Sequence, residues 1–164
     1  MRDEEAFGRF VLEAYPGLLR RAYFLVGDRG HAEDLVQTAL ATGYLRWRRI
    51  DEPEAYLRTV MARTAIGWRS RRWSSEYPMD PLPDNMASGD AFADVDRLDL
   101  VRRALMSLPV EQRAVVVLRY FDDCTEAETA RVLGCSIGTV KSRASRALTA
   151  LRDSGLLAEE GQLR

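Results

Sequence analysis

Apolar residues recur at spacings of three and four along most of the chain, the mark of helices with one buried face. Phe7, Phe10, Val11 and Ala14 open the pattern. Leu18, Leu19, Ala22 and Leu25 repeat it after Pro16 and Gly17, a pair that predicts a break, and 27–30 predicts a second. From Ala32 a further helix, AEDLVQTALATGYLRW, ends at the basic residues 46–49. Asp51 stands two residues before Pro53, which suits an N-cap and first turn. The helix it would open, PEAYLRTVMARTAIGWRSRRW, carries Leu57, Val60, Met61, Thr64 and Trp68 on one face.

The pattern then stops. Residues 74–94 hold three prolines, few large aliphatics and no period, and read as a flexible linker. Helical spacing resumes at Val95, Leu98, Val101 and Leu105. Pro109 opens another helix, in which VVVL has strand propensity but helical flanks. The expectation is an all-α chain of two small helical domains, 1–73 and 95–154, joined by the linker and followed by a short tail, 155–164.

Composition changes this picture in one respect. The formal net charge over 164 residues is only −1, which by itself speaks against a nucleic-acid binder. Along the chain, however, 1–73 carries 13 basic and 10 acidic groups, 74–99 carries 1 and 7, and 100–164 carries 10 and 8. Two mildly basic blocks flank an acidic tether. Cys124 and Cys135 lack metal-ligand spacing and His31 is the single histidine, so neither a zinc site nor any cofactor is expected. His31 reads as a capping or surface residue. No apolar run approaches the roughly 20 residues of a membrane span, and the acidic start lacks a signal-peptide pattern; a cytoplasmic protein without membrane insertion is expected.

The sharpest local signal is TEAETARVLGCSIGTVKSRASRALTAL, 125–151. Thr125 and Glu128 are spaced as a capping box, Gly134 supplies a left-handed turn residue, and Ser136 can cap a second helix. This is the logic of a helix-turn-helix. On the second helix Val140, Ala144, Ala147 and Leu151 form one stripe, and Ser142, Ser145, Arg146 and Thr149 point the other way. Residues 136–152 hold four basic and no acidic groups. As a recognition helix in a major groove, it would set Arg146 on guanine edges, Ser142 and Ser145 on bases or phosphate, and Lys141 and Arg143 mainly on phosphates, with Thr139 and Thr149 at its margins.

With these residues in view, LPVEQRAVVVLRYFDDCTEAETARVLGCSIGTVKSRASRALTAL resembles domain four of the extracytoplasmic-function (ECF) branch of bacterial sigma factors. AEDLVQTAL, followed by a basic aromatic helix, resembles domain two. The sigma-E-like subgroup, with its arginine-rich and tryptophan-containing helix, is the most similar. The resemblance implies a subunit that binds core RNA polymerase and promoter DNA and directs transcription initiation. It places Asp34, Gln37, Ala41 and Leu45 on the beta-prime clamp helices and domain four at the beta flap. Arg48, Arg49, Arg63, Thr64, Arg69, Arg71 and Arg72 fall where the family melts and reads the minus-ten element, and an anti-sigma factor is implied as a further partner. Thr64 stands where asparagine is frequent and Trp68 where aspartate is frequent, which leaves base preference open; Trp68 shares the face of Leu57 and Met61, which favours packing over base stacking. Thr129 replaces a usual aliphatic residue. The acidic tether reads equally as a nucleic-acid mimic or as a solubilising segment.

A stand-alone helix-turn-helix regulator is the alternative, because response-regulator output domains share a similar C-terminal unit. The absence of an alternating strand and helix pattern in 1–73 weighs against it. An enzyme is not expected: no phosphate-binding glycine loop and no nucleophile with a placed base occur.

Overall fold

The computed structural model describes residues 2–72 and 95–155, so the predicted linker and residues 156–164 lie outside the described residues. Among the described residues all regular structure is helical: α1 (Arg2–Val26), α2 (Arg29–Leu45), a 3₁₀ turn (Trp47–Arg49), α3 (Pro53–Arg72), α4 (Val95–Met106), α5 (Val110–Val116), a π-helical turn (Val117–Phe121), α6 (Glu126–Leu133) and α7 (Ile137–Asp153).

The break expected at Pro16 does not occur; α1 runs straight through it. Proline lacks the N–H that would reach the Leu12 carbonyl, a loss that costs about 3 kcal/mol in a buried helix. Here Leu12 is 80% exposed, so the missing bond falls on the solvent side of the helix. Buried Ala14, Leu18 and Ala22 continue one face at intervals of four on both sides of the proline, and that continuity outweighs the local breaker. A second correction concerns α3. Its first acceptor is the Glu52 carbonyl, bonded to the Tyr56 N–H at 3.0 Å, which puts Glu52 rather than Asp51 at the cap position. The predicted break at 27–30 is real but shorter. Asp28 caps α2 through the His31 N–H at 2.9 Å, and its other carboxylate oxygen meets the His31 ring.

The two halves share one core. Leu18, Tyr23, Phe24 and Leu25 of α1, Leu35 of α2 and Leu57 and Met61 of α3 join Leu105, Ala114, Val117, Ala147 and Leu151 in a single buried cluster. Each large side chain removed from water contributes about 1.5–3 kcal/mol. The run VVVL is helical, as its flanks predict, but it loosens into the π turn. Phe121 at the end of that turn packs on Phe24 of α1, with ring centroids 4.8 Å apart. Gly27 turns α1 into α2 with φ +88°, and a Cβ there would stand 2.4 Å from the Met106 sulfur of α4. Only glycine permits both that dihedral and that approach.

Candidate nucleic-acid interface

In the C-terminal half, α6 and α7 form the predicted helix-turn-helix. The Thr125 hydroxyl accepts the Glu128 N–H at 3.0 Å, Gly134 takes φ 66°, and the Ser136 hydroxyl accepts the Thr139 N–H at 3.1 Å. Val140, Ala147 and Leu151 are buried, and Ala144 is half-buried beside them. Lys141, Ser142, Ser145, Arg146 and Thr149 are exposed, and Arg143 is half-buried. Thr139 differs from expectation in part: its hydroxyl is engaged by Ser136 at 2.9 Å, inside the cap. Thr129 of α6 is fully buried, and its hydroxyl has no hydrogen-bond partner.

The N-terminal half offers two separate basic regions where the sequence suggests one. Arg48 and Arg49 are exposed on the 3₁₀ turn and line a cavity of about 700 Å³ with Asp3, Glu4, Tyr44, Leu45, Arg46 and Trp47. Arg63 lies on α3 and faces the other half of the molecule. Its Nε donates to the Val132 carbonyl at 2.7 Å and its Nη2 to the Arg131 carbonyl at 3.1 Å. These are orphan acceptors at the end of α6, so Arg63 caps that helix. Thr64 is half-buried, and Arg69 lies 3.8 Å from Glu111 of α5. Helix α3 includes Arg71 and Arg72, whose side chains lie outside the described residues. Trp68 is half-buried against the core and walls a groove with Met106 and Pro109, in keeping with packing.

On α2, Leu35, Val36, Ala39 and Leu40 are buried while Asp34, Gln37, Ala41 and Leu45 are exposed as one stripe, Leu45 at 84%. The stripe runs most of the length of α2, from the Asp34 carboxylate and the Gln37 amide to the exposed Leu45 at its C-terminal end.

Comparison with known proteins places the chain in a family. The description "Sigma-70 region 2" matches residues 10–75 and "Sigma-70, region 4" matches 98–151. The RNA polymerase sigma-E factor of Streptomyces coelicolor is 41% identical over 150 residues, covering 90% of this chain and 84% of that protein. The ECF RNA polymerase sigma factor SigM of Mycobacterium tuberculosis is 34% identical, covering 88% and 74%. Among solved structures, the sigma factor RpoE bound to the anti-sigma factor NepR from Bartonella quintana aligns with TM-score 0.70 at 26% identity, covering 94% of this chain and 98% of that one. CnrH in complex with the cytosolic domain of CnrY shares the fold, with TM-score 0.64 at 21% identity, covering 97% and 91%.

The chain belongs to the ECF sigma factors. As such it binds core RNA polymerase and directs promoter-specific transcription initiation, and the sequence reading of its fold class and sigma-E-like resemblance holds.

Residues to which the sequence assigns no role join the two halves of this sigma factor. Asp122, whose side chain is 2% exposed, follows the π turn and faces Arg21 Nε at 2.5 Å and Arg58 Nε at 3.9 Å. Burial pushes its carboxyl above the ordinary aspartate value, against the pull of Arg21 and Arg58. Arg58 Nη1 also reaches the Cys124 sulfur at 3.2 Å, and burial raises that thiol. Arg113 donates to the carbonyls of Leu25, Leu105 and Leu108 at 2.7, 2.9 and 2.8 Å, joining the ends of α1 and α4. Desolvation brings its pKa down to about 10, with the charge of Arg69 adding to the effect. A guanidinium at two helix C-termini meets their negative ends and satisfies their free carbonyls. None of these arginines has a local sequence signal, because every partner is more than 60 positions away or at a helix end.

Proposed function

We propose that this ECF sigma factor is a dissociable, non-catalytic subunit of a cytoplasmic polymerase, with domain two over 1–73, a linker over 74–94, domain four over 95–154 and a tail over 155–164. Asp34, Gln37, Ala41 and Leu45 dock on the beta-prime clamp helices, and domain four meets the beta flap. Arg48 and Arg49, with Arg63, Thr64, Arg69, Arg71 and Arg72, serve the melted minus-ten element. Thr139, Lys141, Ser142, Arg143, Ser145, Arg146 and Thr149 serve the minus-thirty-five element. The observation that carries this reading is the pairing, in one chain, of an acid-free exposed face on α7 with the exposed stripe on α2.

A geometric consequence follows. The two promoter elements lie about 25 base pairs apart, roughly 85 Å along a duplex at 3.4 Å per pair. Helices α3 and α6 are within hydrogen-bond distance here. One closed chain cannot reach both elements, so the interface between the halves opens in the transcribing complex. The solved RpoE relative bound to the anti-sigma factor NepR supports an anti-sigma protein as a further partner. Run-off transcription with core polymerase tests the reading. Initiation that depends on this chain, at start sites with a shared pair of upstream sequences, is expected; no initiation above core alone from any genomic promoter contradicts it.

A further inference from the structure

The first turn of α1 reaches over the cavity in the 44–49 segment. Phe7 packs edge-on against Tyr44 and Trp47, with centroids at 5.1 and 5.2 Å, and Phe10 lies 5.4 Å from Trp47. Asp3 and Glu4, four and three positions before Phe7, stand on the same helix face. Asp3 Oδ2 accepts from Arg48 Nε at 2.6 Å, and Glu4 Oε1 accepts from the Tyr44 hydroxyl at 3.2 Å. That hydrogen bond to Glu4 raises the Tyr44 pKa above its ordinary value.

The Asp3–Arg48 pair does little to anchor the fold. The side chains are 44% and 82% exposed, and pairs so open to water contribute little stability. Its position is more informative than its strength. The Arg48 guanidinium is the group that a DNA phosphate would take, with the same fork geometry that a carboxylate uses. Two anions therefore compete for one cation at the rim of a cavity walled by Tyr44 and Trp47.

We propose that Asp3 is a specificity-determining residue of minus-ten recognition: its carboxylate holds Arg48 as a stand-in for phosphate and yields it only to a strand that follows the cavity. The inference rests on the reading of the 44–49 cavity as part of the single-strand site. A random strand that does not follow the cavity leaves Arg48 with Asp3 and gains nothing from it. A cognate strand, held by its base, brings a phosphate to Arg48 and displaces the carboxylate.

The test uses the full chain bound to core polymerase, with fluorescence anisotropy on two single-stranded oligonucleotides over a range of salt. One carries the non-template strand of a mapped minus-ten element, and the other is a random sequence of equal length. The proteins are wild type, Asp3→Asn, Arg48→Ala and the double variant. Asp3→Asn is expected to bind the random strand about threefold tighter, with a log K against log salt slope steeper by about 0.7, the value of one extra phosphate. The cognate strand should change less, and the double variant should match Arg48→Ala alone. If Arg48→Ala weakens cognate binding while Asp3→Asn leaves random-strand affinity and slope unchanged, the inference is wrong and the cavity reading stands. A gain from Asp3→Asn that persists without Arg48 also overturns it, because the effect is then general charge removal. If Arg48→Ala leaves cognate binding untouched, the cavity reading falls and the inference with it.

Discussion

Two arginine-bearing surfaces of this chain are alike in composition and opposite in state. On α7, Lys141, Arg143 and Arg146 make no ion pair or side-chain hydrogen bond among the described residues. On the N-terminal half, Arg48 is held by Asp3, Arg58 by Asp122 and Cys124, Arg63 by two carbonyls of α6, and Arg69 lies near Glu111. The difference is one of position. Helix α7 turns an acid-free face outward, whereas α3 lies between the halves, where helix ends and a buried carboxylate offer acceptors. A count of basic residues therefore overstates what the downstream surface offers DNA in the closed chain and gives the upstream surface its full value.

The largest effect is expected at Asp122. Asp122→Ala leaves Arg21 and Arg58 facing each other without an anion and should cost about 3 kcal/mol of unfolding free energy, read by denaturant titration. Arg146→Ala should do the reverse. It should leave stability within about 0.5 kcal/mol of wild type and weaken holoenzyme binding by about 1–3 kcal/mol, only on promoters that keep the upstream element. Arg63→Ala removes a charged donor from the end of α6 and should cost about 1–2 kcal/mol, with faster hydrogen exchange near Gly134 and Cys135. Lysine at this position should restore only part of the loss, because it lacks the two-pronged fork. The smallest effect belongs to Ser136→Ala, about 1 kcal/mol from the lost cap of α7, with the exposed face of the helix unchanged in sequence.

What the sequence reveals and what it hides divide along the same line. The caps at Thr125 and Ser136, the turn at Gly134, the stripe through Val140 and Leu151 and the exposed face of α2 are all set by residues within a few positions of one another, and all were legible. Pro16 misled because its local cost is real, while the compensating feature, exposure of Leu12 on the outer side of α1, belongs to the packed structure. Asp122 looks like an ordinary loop acid. It is buried because the π turn places it there: the Asp122 N–H reaches back to Val117, and the next residue, Asp123, adopts φ 52°. Arg21, Arg58 and Arg113 read as solvated helix charges and Arg63 as a DNA contact; the meeting of the two halves supplies Asp122, Cys124, the α6 carbonyls and the Leu25 carbonyl, while Arg113 also bonds Leu105 and Leu108 of its own half. Within the N-terminal half, Asp3 and Glu4 read as acids favoured by the helix dipole, and only the packing of α1 on the 44–49 segment sets Arg48 and Tyr44 against them.

On the function proposed above, the free chain is closed, with α3 against α6, and opens when it reads a promoter. Labels at the exposed positions Glu54 on α3 and Ala127 on α6 report this directly through their distance in the free protein and in a promoter-bound holoenzyme. One short distance is expected in the free chain and a separation tens of ångströms longer in the initiating complex, toward the roughly 85 Å set by the spacing of the two elements. A short distance retained in a complex that initiates transcription would contradict it.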